Sequence, residues 1–269
     1  MARTDNLTNF LTDVADAIRE KKGTEETIKA SDFDTEIENL PSGESSRDWS
    51  EIGYSEEPEF IEDGFAYAKE IYDNWVPTQN LSRKFYNDKN LMIMPLVDTS
   101  ISDNMQEMFQ GCYSLSSIPQ LDTSNVKRMS GMFYNCSILK TISLWNTSKV
   151  MYMDNMFYNC SKLKTIPLLN TSNVMIMTNM FNRCSILETI PLLDTSKITR
   201  MSNIFSGCFN LSDSSLDNIL QMCINATSYT ETKTLKTIGI TNTTYYPVSR
   251  IEALPSYQAF LDAGWTIGY

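Results

Sequence analysis

The most regular feature of this chain is a column of apolar positions that returns every 24 residues. Phenylalanine stands at 85, 109, 133, 157, 181 and 205, and cysteine at 112, 136, 160, 184 and 208. Leucine follows at 91, 115, 139, 163, 187 and 211, and then Met94, Ile118, Ile142, Ile166 and Ile190. Proline at 95, 119, 167 and 191 is broken only by Ser143, and Val97, Leu121, Trp145, Leu169 and Leu193 come next. An Asp/Asn column at 98, 122, 146, 170 and 194 then leads into Thr and Ser columns ending at Thr195 and Ser196. Methionine fills two further columns, 105/129/153/177/201 and 108/132/156/180, as core positions would.

A period of 20 to 30 residues with one Leu-x-x-Ile segment per turn predicts a solenoid in which each coil stacks only on its neighbours. The fold class read from it is an α/β repeat, a leucine-rich-repeat solenoid over residues 84–210. Leu115 to Leu121 is expected as a short strand in a parallel ladder. The Asp-Thr-Ser after it supplies oxygens that hold a turn and cap the next helical stretch. Val126, Met129, Met132 and Phe133 keep helical spacing, so one or two helical turns are expected on the return leg. For the column Gln120, Leu144, Leu168 and Leu192, core and an apolar stripe on the ladder face are both open.

The flanks divide into further regions. Phe10, Val14, Ala17 and Ile18 repeat at helical spacing, Gly23 stands where a helix would stop, and Ser31 to Leu40 fits a second short helix, giving a helical attachment module over 1–41. An acidic linker over 42–60, rich in Ser, Glu, Gly and Pro, comes next. Residues 61–83 hold an N-terminal cap helix, in which Phe65, Ala68 and Ile71 are expected against the first coil. Residues 211–269 form an α/β capping region: Leu216, Ile219, Leu220 and Cys223 share a helical face as a lid, LKTIGI reads as a strand, and a helix ends at Gly264 with a boundary near Leu254.

The pattern MF-x-x-C-x-x-L-x-x-I-P-x-L-D-T-S-N-V-x-x-M, from Met108 to Met129, resembles the BspA-like leucine-rich repeats of bacterial surface proteins and bacteriophage proteins. The N-terminal two-helix segment resembles a short module that recurs near the ends of phage virion proteins. Together these imply an adhesive phage appendage, a tail or head fibre or decoration protein, that is a homo-oligomer, with a trimer favoured. Its expected partners are other virion proteins, through the N-terminal region, and a host surface protein or glycan. Its expected place is the virion, assembled in the host bacterial cytoplasm, because the start lacks a secretory signal pattern. A structural virion protein docking on capsid, neck or tail, and a bacterial surface adhesin, are the alternatives.

Composition narrows the chemistry. The 269 residues include no histidine, which removes the commonest general base and any Ser/His/Asp or Cys/His machinery. The net charge of −11 disfavours nucleic acid or an anionic membrane as partner. Residues 1–74 hold 20 of the 33 acidic residues and 7 of the 22 basic ones, so the acidity lies ahead of the repeats. The cysteine period is unlike the short Cys-x-x-Cys pairs of zinc sites and fits buried free thiols. The Asp/Asn column fits turn oxygens better than a calcium ladder, and no catalytic, cofactor or metal set is expected.

The remaining candidate is a binding face made of columns that vary while the core columns do not. It comprises Lys127, Met151 and Met175, then Arg128, Tyr152, Ile176 and Arg200, then Lys140 and Lys164, with Trp145 as an added aromatic group. Tyr134 and Tyr158 contribute further aromatic surface of the kind enriched in recognition sites.

Overall fold

The computed structural model describes residues 68, 70–71, 73–95, 97–240 and 244–268. The helical attachment module, the acidic linker and Phe65 lie outside the described residues. The repeats form a stack of coils with one continuous core: Phe109, Phe133, Phe157 and Phe181 are each 0% exposed, as are Leu115, Leu139, Leu163 and Leu187. Both methionine columns are buried with them. The phenylalanine rings stack from coil to coil, with centroids 5.4 to 5.8 Å apart from Phe85 to Phe205. Each such pair contributes roughly 0.5–1.5 kcal/mol beyond the area it buries.

The backbone path of each coil differs from the expected strand and helical return. Among the described residues, 75–212 hold no α-helix, and their parallel pairing consists of single bridges. The longest run of bridges joins Asn80, Asn104, Arg128, Tyr152, Ile176 and Arg200, one residue per coil. That ladder falls where the helical return was expected. On the Leu115–Leu121 segment and its equivalents, only Ile93–Ser117 and Thr165–Thr189 bridge.

The segment after the ladder is a ribbon of turns. Alternate residues donate to the next coil: Glu107 N–H to the carbonyl of Ser130, Phe109 to Met132 and Gly111 to Tyr134, at 2.8 to 2.9 Å. The residues between them donate within the coil, Met132 to Met129, Tyr134 to Gly131 and Cys136 to Phe133. These are i to i+3 turn bonds, and a helix would need i to i+4 bonds along the segment. Two positions per coil sit at positive φ: Arg83, Glu107, Gly131, Asn155, Asn179 and Asn203 in one column, and Asn87, Gly111, Asn135, Asn159, Arg183 and Gly207 in the other. Asn and Gly dominate both columns because they enter the left-handed region at least cost.

The Asp-Thr-Ser oxygens hold a turn as expected, but among the described residues of the repeats no α-helix follows for them to cap. Asp122 and Asp194 accept the backbone N–H of Ser124 and Ser196 at 2.9 Å, and Asn146 and Asn170 do the same for Ser148 and Ser172. An Oδ1 atom suffices for this bond, so Asp and Asn interchange. The buried threonines next in line donate to the following coil, Thr123 to the Asn146 carbonyl and Thr147 to the Asn170 carbonyl, both at 2.9 Å. The cysteine column is buried and unbridged, as expected.

The C-terminal end of the core is sealed by imitation of a coil. Helix α1, Asp213–Asn225, starts at Ser212 and buries Leu216, Ile219, Leu220 and Cys223. Its Ser215 hydroxyl accepts the Ile190 N–H at 3.0 Å and donates to the Glu188 carbonyl at 3.0 Å, while Asn218 donates to the Ile190 carbonyl. On the other limb the Glu231 carboxylate takes the N–H groups of Met201 and Ser202, both at 3.1 Å, where a further coil would offer backbone. The LKTIGI segment is a run of turns that receives Asn203 and Phe205 donors, in place of the expected strand. The expected last helix is two, α2 at Val248–Glu252 and α3 at Tyr257–Asp262, separated around Pro255. Proline cannot continue the first helix there. At the other end Trp75 is buried on Phe85 with its Nε1 donating to the Asp98 carbonyl at 2.8 Å, and Ala68 is buried.

Candidate functional site

Seven of the ten predicted site residues share one face. Lys127, Met151 and Met175 form one column, joined by backbone bonds from Met151 N–H to the Lys127 carbonyl and from Met175 N–H to the Met151 carbonyl, both at 3.0 Å. Arg128, Tyr152, Ile176 and Arg200 form the next, which is the bridge ladder itself. Flanking residues fix the face: Val126, Val150 and Val174 on one side and Met129, Met153 and Met177 on the other are all buried. The two columns between them therefore project to solvent, Lys127, Arg128 and Arg200 exposed and Met151, Tyr152, Met175 and Ile176 partly buried.

The side chains interact along the stack. The Arg128 guanidinium lies over the Tyr152 ring, 5.7 Å from its centroid, and the Lys127 ammonium is 3.9 Å from the Asp103 carboxylate. The surface that results is cationic at Arg128 and Arg200 and aromatic to aliphatic between them, over Tyr152, Ile176 and the two methionines. Such a mixture suits recognition of a protein or glycan surface, since aromatic and Arg groups provide contact energy and Met adapts in shape.

The other three predicted residues are elsewhere. Lys140 and Lys164 lie half a coil away on the opposite limb, where Lys164 pairs with Glu188 at 3.1 Å. Trp145 is a correction: it is 3% exposed and stacks on Phe133 at 5.6 Å. It occupies the core column otherwise held by Val and Leu, so its position in the repeat outweighed its aromatic character. The open column also resolves, because Leu144, Leu168 and Leu192 are 60%, 62% and 40% exposed. They form a surface stripe.

Tyr134 and Tyr158 sit on the turn ribbon, stacked at 4.5 Å, with the Arg183 guanidinium 5.7 Å from the Tyr158 centroid. Burial, then the neighbouring Tyr158, raises the Tyr134 phenol above its ordinary value. The sequence reading missed Arg183, whose place in a column of Asn and Gly at positive φ was its signal. Burial likewise pushes the thiols up, those of Cys112 and Cys184 to about 12, which keeps them protonated. Among the described residues no group of three His, Cys, Asp or Glu is placed to hold a metal ion, and no helix is long and apolar enough to cross a membrane.

The geometry defines a repeat solenoid, and family comparison agrees with the repeat. The model of the family described as "Mycoplasma protein of unknown function, DUF285" matches residues 79–189 and 164–234. Those spans cover more than half of the chain, which belongs to that family. The match bears out the BspA-like leucine-rich character of the repeat. A solved structure, the T. pallidum leucine-rich repeat protein (TpLRR), aligns over 48% of this chain and 81% of its own at 15% identity with a TM-score of 0.29. A likeness that slight adds nothing to the fold, which rests on the coils themselves. No curated protein matches. The class of function to which the repeat family points is surface adhesion or protein docking.

Proposed function

We propose that this chain is a bacteriophage virion appendage that adheres to the host surface through the solenoid face formed by Lys127, Arg128, Met151, Tyr152, Met175, Ile176 and Arg200. The observation that carries the reading is the contrast between columns. Core columns stay apolar on coil after coil, several of them with one residue type, whereas one bridge ladder presents Arg128, Tyr152, Ile176 and Arg200, three residue types of different chemistry, at equivalent positions that face solvent. A purely architectural face has no need of such variety; a recognition surface draws its specificity from it. The placement in a virion is supported by the resemblance of the N-terminal segment to modules of phage virion proteins. Binding, without catalysis, is supported by the lack of histidine in the sequence.

Mass spectrometry and immunogold labelling of purified particles from the source, with an antibody raised against residues 84–210, test the placement. Label on an outward projection is expected. Particles without the protein would return it to the bacterial-surface adhesin reading.

A further inference from the structure

The ladder face carries a charge pattern of its own. Over four consecutive coils, residues 125–128, 149–152, 173–176 and 197–200 read Asn-Val-Lys-Arg, Lys-Val-Met-Tyr, Asn-Val-Met-Ile and Lys-Ile-Thr-Arg. This strip holds five cations and no carboxylate, although the whole chain has a net charge of −11. Lys127 is 3.9 Å from Asp103 at the edge of the strip, and among the described residues no ion pair holds Arg128, Lys149, Lys197 or Arg200. The carboxylates that border the strip are engaged elsewhere. Asp122 and Asp194 accept the N–H groups of Ser124 and Ser196, and Asp154 accepts the Ser130 hydroxyl at 2.6 Å.

Two of these cations are fixed in place by neutral groups. Lys149 Nζ donates to Asn125 Oδ1 at 2.7 Å and Lys197 Nζ to Asn173 Oδ1 at 2.6 Å. Each asparagine is itself held by donating to a carbonyl of the preceding coil, that of Ser100 at 2.8 Å and that of Ser148 at 2.7 Å. Such bonds orient an ammonium group without cancelling its charge, so both are set out for an anion before it arrives. At about 5 Å per coil, Lys149 and Lys197 stand about 10 Å apart along one side of the strip, and Arg128 and Arg200 about 15 Å apart along the other. Half-buried Met151 and Met175 lie between them.

We infer that the strip binds an acidic polysaccharide, with its carboxylate or phosphate groups on the two lines of cations and the apolar faces of its sugar rings over the methionines. The inference rests on the adhesive reading of this face and names what the face holds. Charge complementarity calls for an anionic partner. An acidic peptide is the weaker fit. The backbone carbonyls of Lys127, Met151, Tyr152, Met175 and Ile176 already accept bonds from neighbouring coils, so an extended strand finds no open sheet edge to join. A polysaccharide has no strand to add and is held through side chains alone.

Fluorescence anisotropy of the full chain with labelled alginate, which carries carboxylates, and labelled phosphomannan, which carries phosphates, tests the inference. At least one of the two is expected to bind, more weakly as added salt screens the charges, and uncharged dextran is expected not to bind. Lys149→Gln with Lys197→Gln should lower the affinity at least about tenfold, through two lost charge-assisted contacts. Both side chains are exposed, so the thermal melt should be unchanged. Lys140→Gln with Lys164→Gln, the same change of charge on the opposite limb, should leave the affinity as it was. Failure of both acidic polysaccharides to bind overturns the inference. So does binding that survives Lys149→Gln with Lys197→Gln, or polyglutamate bound as tightly as the polysaccharide, which would make the partner an acidic protein segment. None of these results decides the adhesive reading, which is tested separately on whole host cells with Arg128, Tyr152 and Arg200 replaced.

Discussion

The Cys160 thiol donates to the carbonyl oxygen of Phe133 in the preceding coil, with Sγ 3.1 Å away. The same oxygen accepts the backbone N–H of Cys136 at 3.0 Å, so both of its lone pairs are used. The relationship repeats from Cys112 with Phe85 to Cys208 with Phe181. The cysteine period thus has a physical cause: the side chain must be small enough for the core and must carry one donor, directed at a buried turn carbonyl.

Replacing Cys160 with alanine removes that donor and leaves a small void. A loss of about 2 kcal/mol is expected from urea denaturation. Serine, which keeps a donor, should fall between alanine and wild type. All six thiols should resist alkylation in the native protein and react fully in denaturant without reductant.

Alkaline pH should act through the same column. Burial raises the thiols above their ordinary range, so the folded state favours the protonated form. Their contribution is fully present below the unfolded thiol pKa of about 8.5 and is lost as pH rises toward the folded values. Cys112 and Cys184 place the upper end of that window at about 12. Melting temperatures are expected to fall progressively between about pH 8 and about pH 11, and Cys160→Ser should reduce the slope.

The left-handed positions make a second local prediction. Asn203 sits at φ 55° and is exposed. Asn203→Ala is expected to be less stable than Asn203→Gly by about 1 kcal/mol, because only alanine brings a Cβ into the strained conformation. Equal stability of the two variants in thermal denaturation would remove the conformational account of the Asn and Gly columns.

The threonine ladder is a third. Thr147 is buried and donates to the Asn170 carbonyl at 2.9 Å. Thr147→Val preserves shape and deletes the donor, at an expected cost of about 1 kcal/mol in denaturant titration. Thr147→Ser, which keeps the hydroxyl, should recover part of it.

The stacking of coils and the identity of the core were legible in the sequence because burial acts on every coil at the same column. The turn oxygens of Asp122 and Asn146 were legible for the same reason. The backbone path was not, since Met129, Met132, Phe133 and Cys136 turn inward at intervals of three and four in a ribbon of turns as they would in a helix. What separates the two is the fate of alternate N–H groups, and its trace in sequence is the pair of Asn and Gly at positions such as 155 and 159. Trp145 was misread because an aromatic residue fits recognition and core equally well, and here the column decides. The ladder face was visible in the sequence as a set of varying positions, but without a backbone path Lys140 and Lys164 could not be separated from it.

The most direct test of the adhesive face is the binding of the purified full chain to host cells, compared with the combined variant Arg128→Ala, Tyr152→Ala, Arg200→Ala. Those side chains project from the ladder without filling the core, so the fold should persist, as a thermal melt will verify. The account predicts at least about a tenfold loss of affinity in the combined variant, since aromatic and arginine anchors dominate such surfaces. Binding equal to that of the wild type would contradict it.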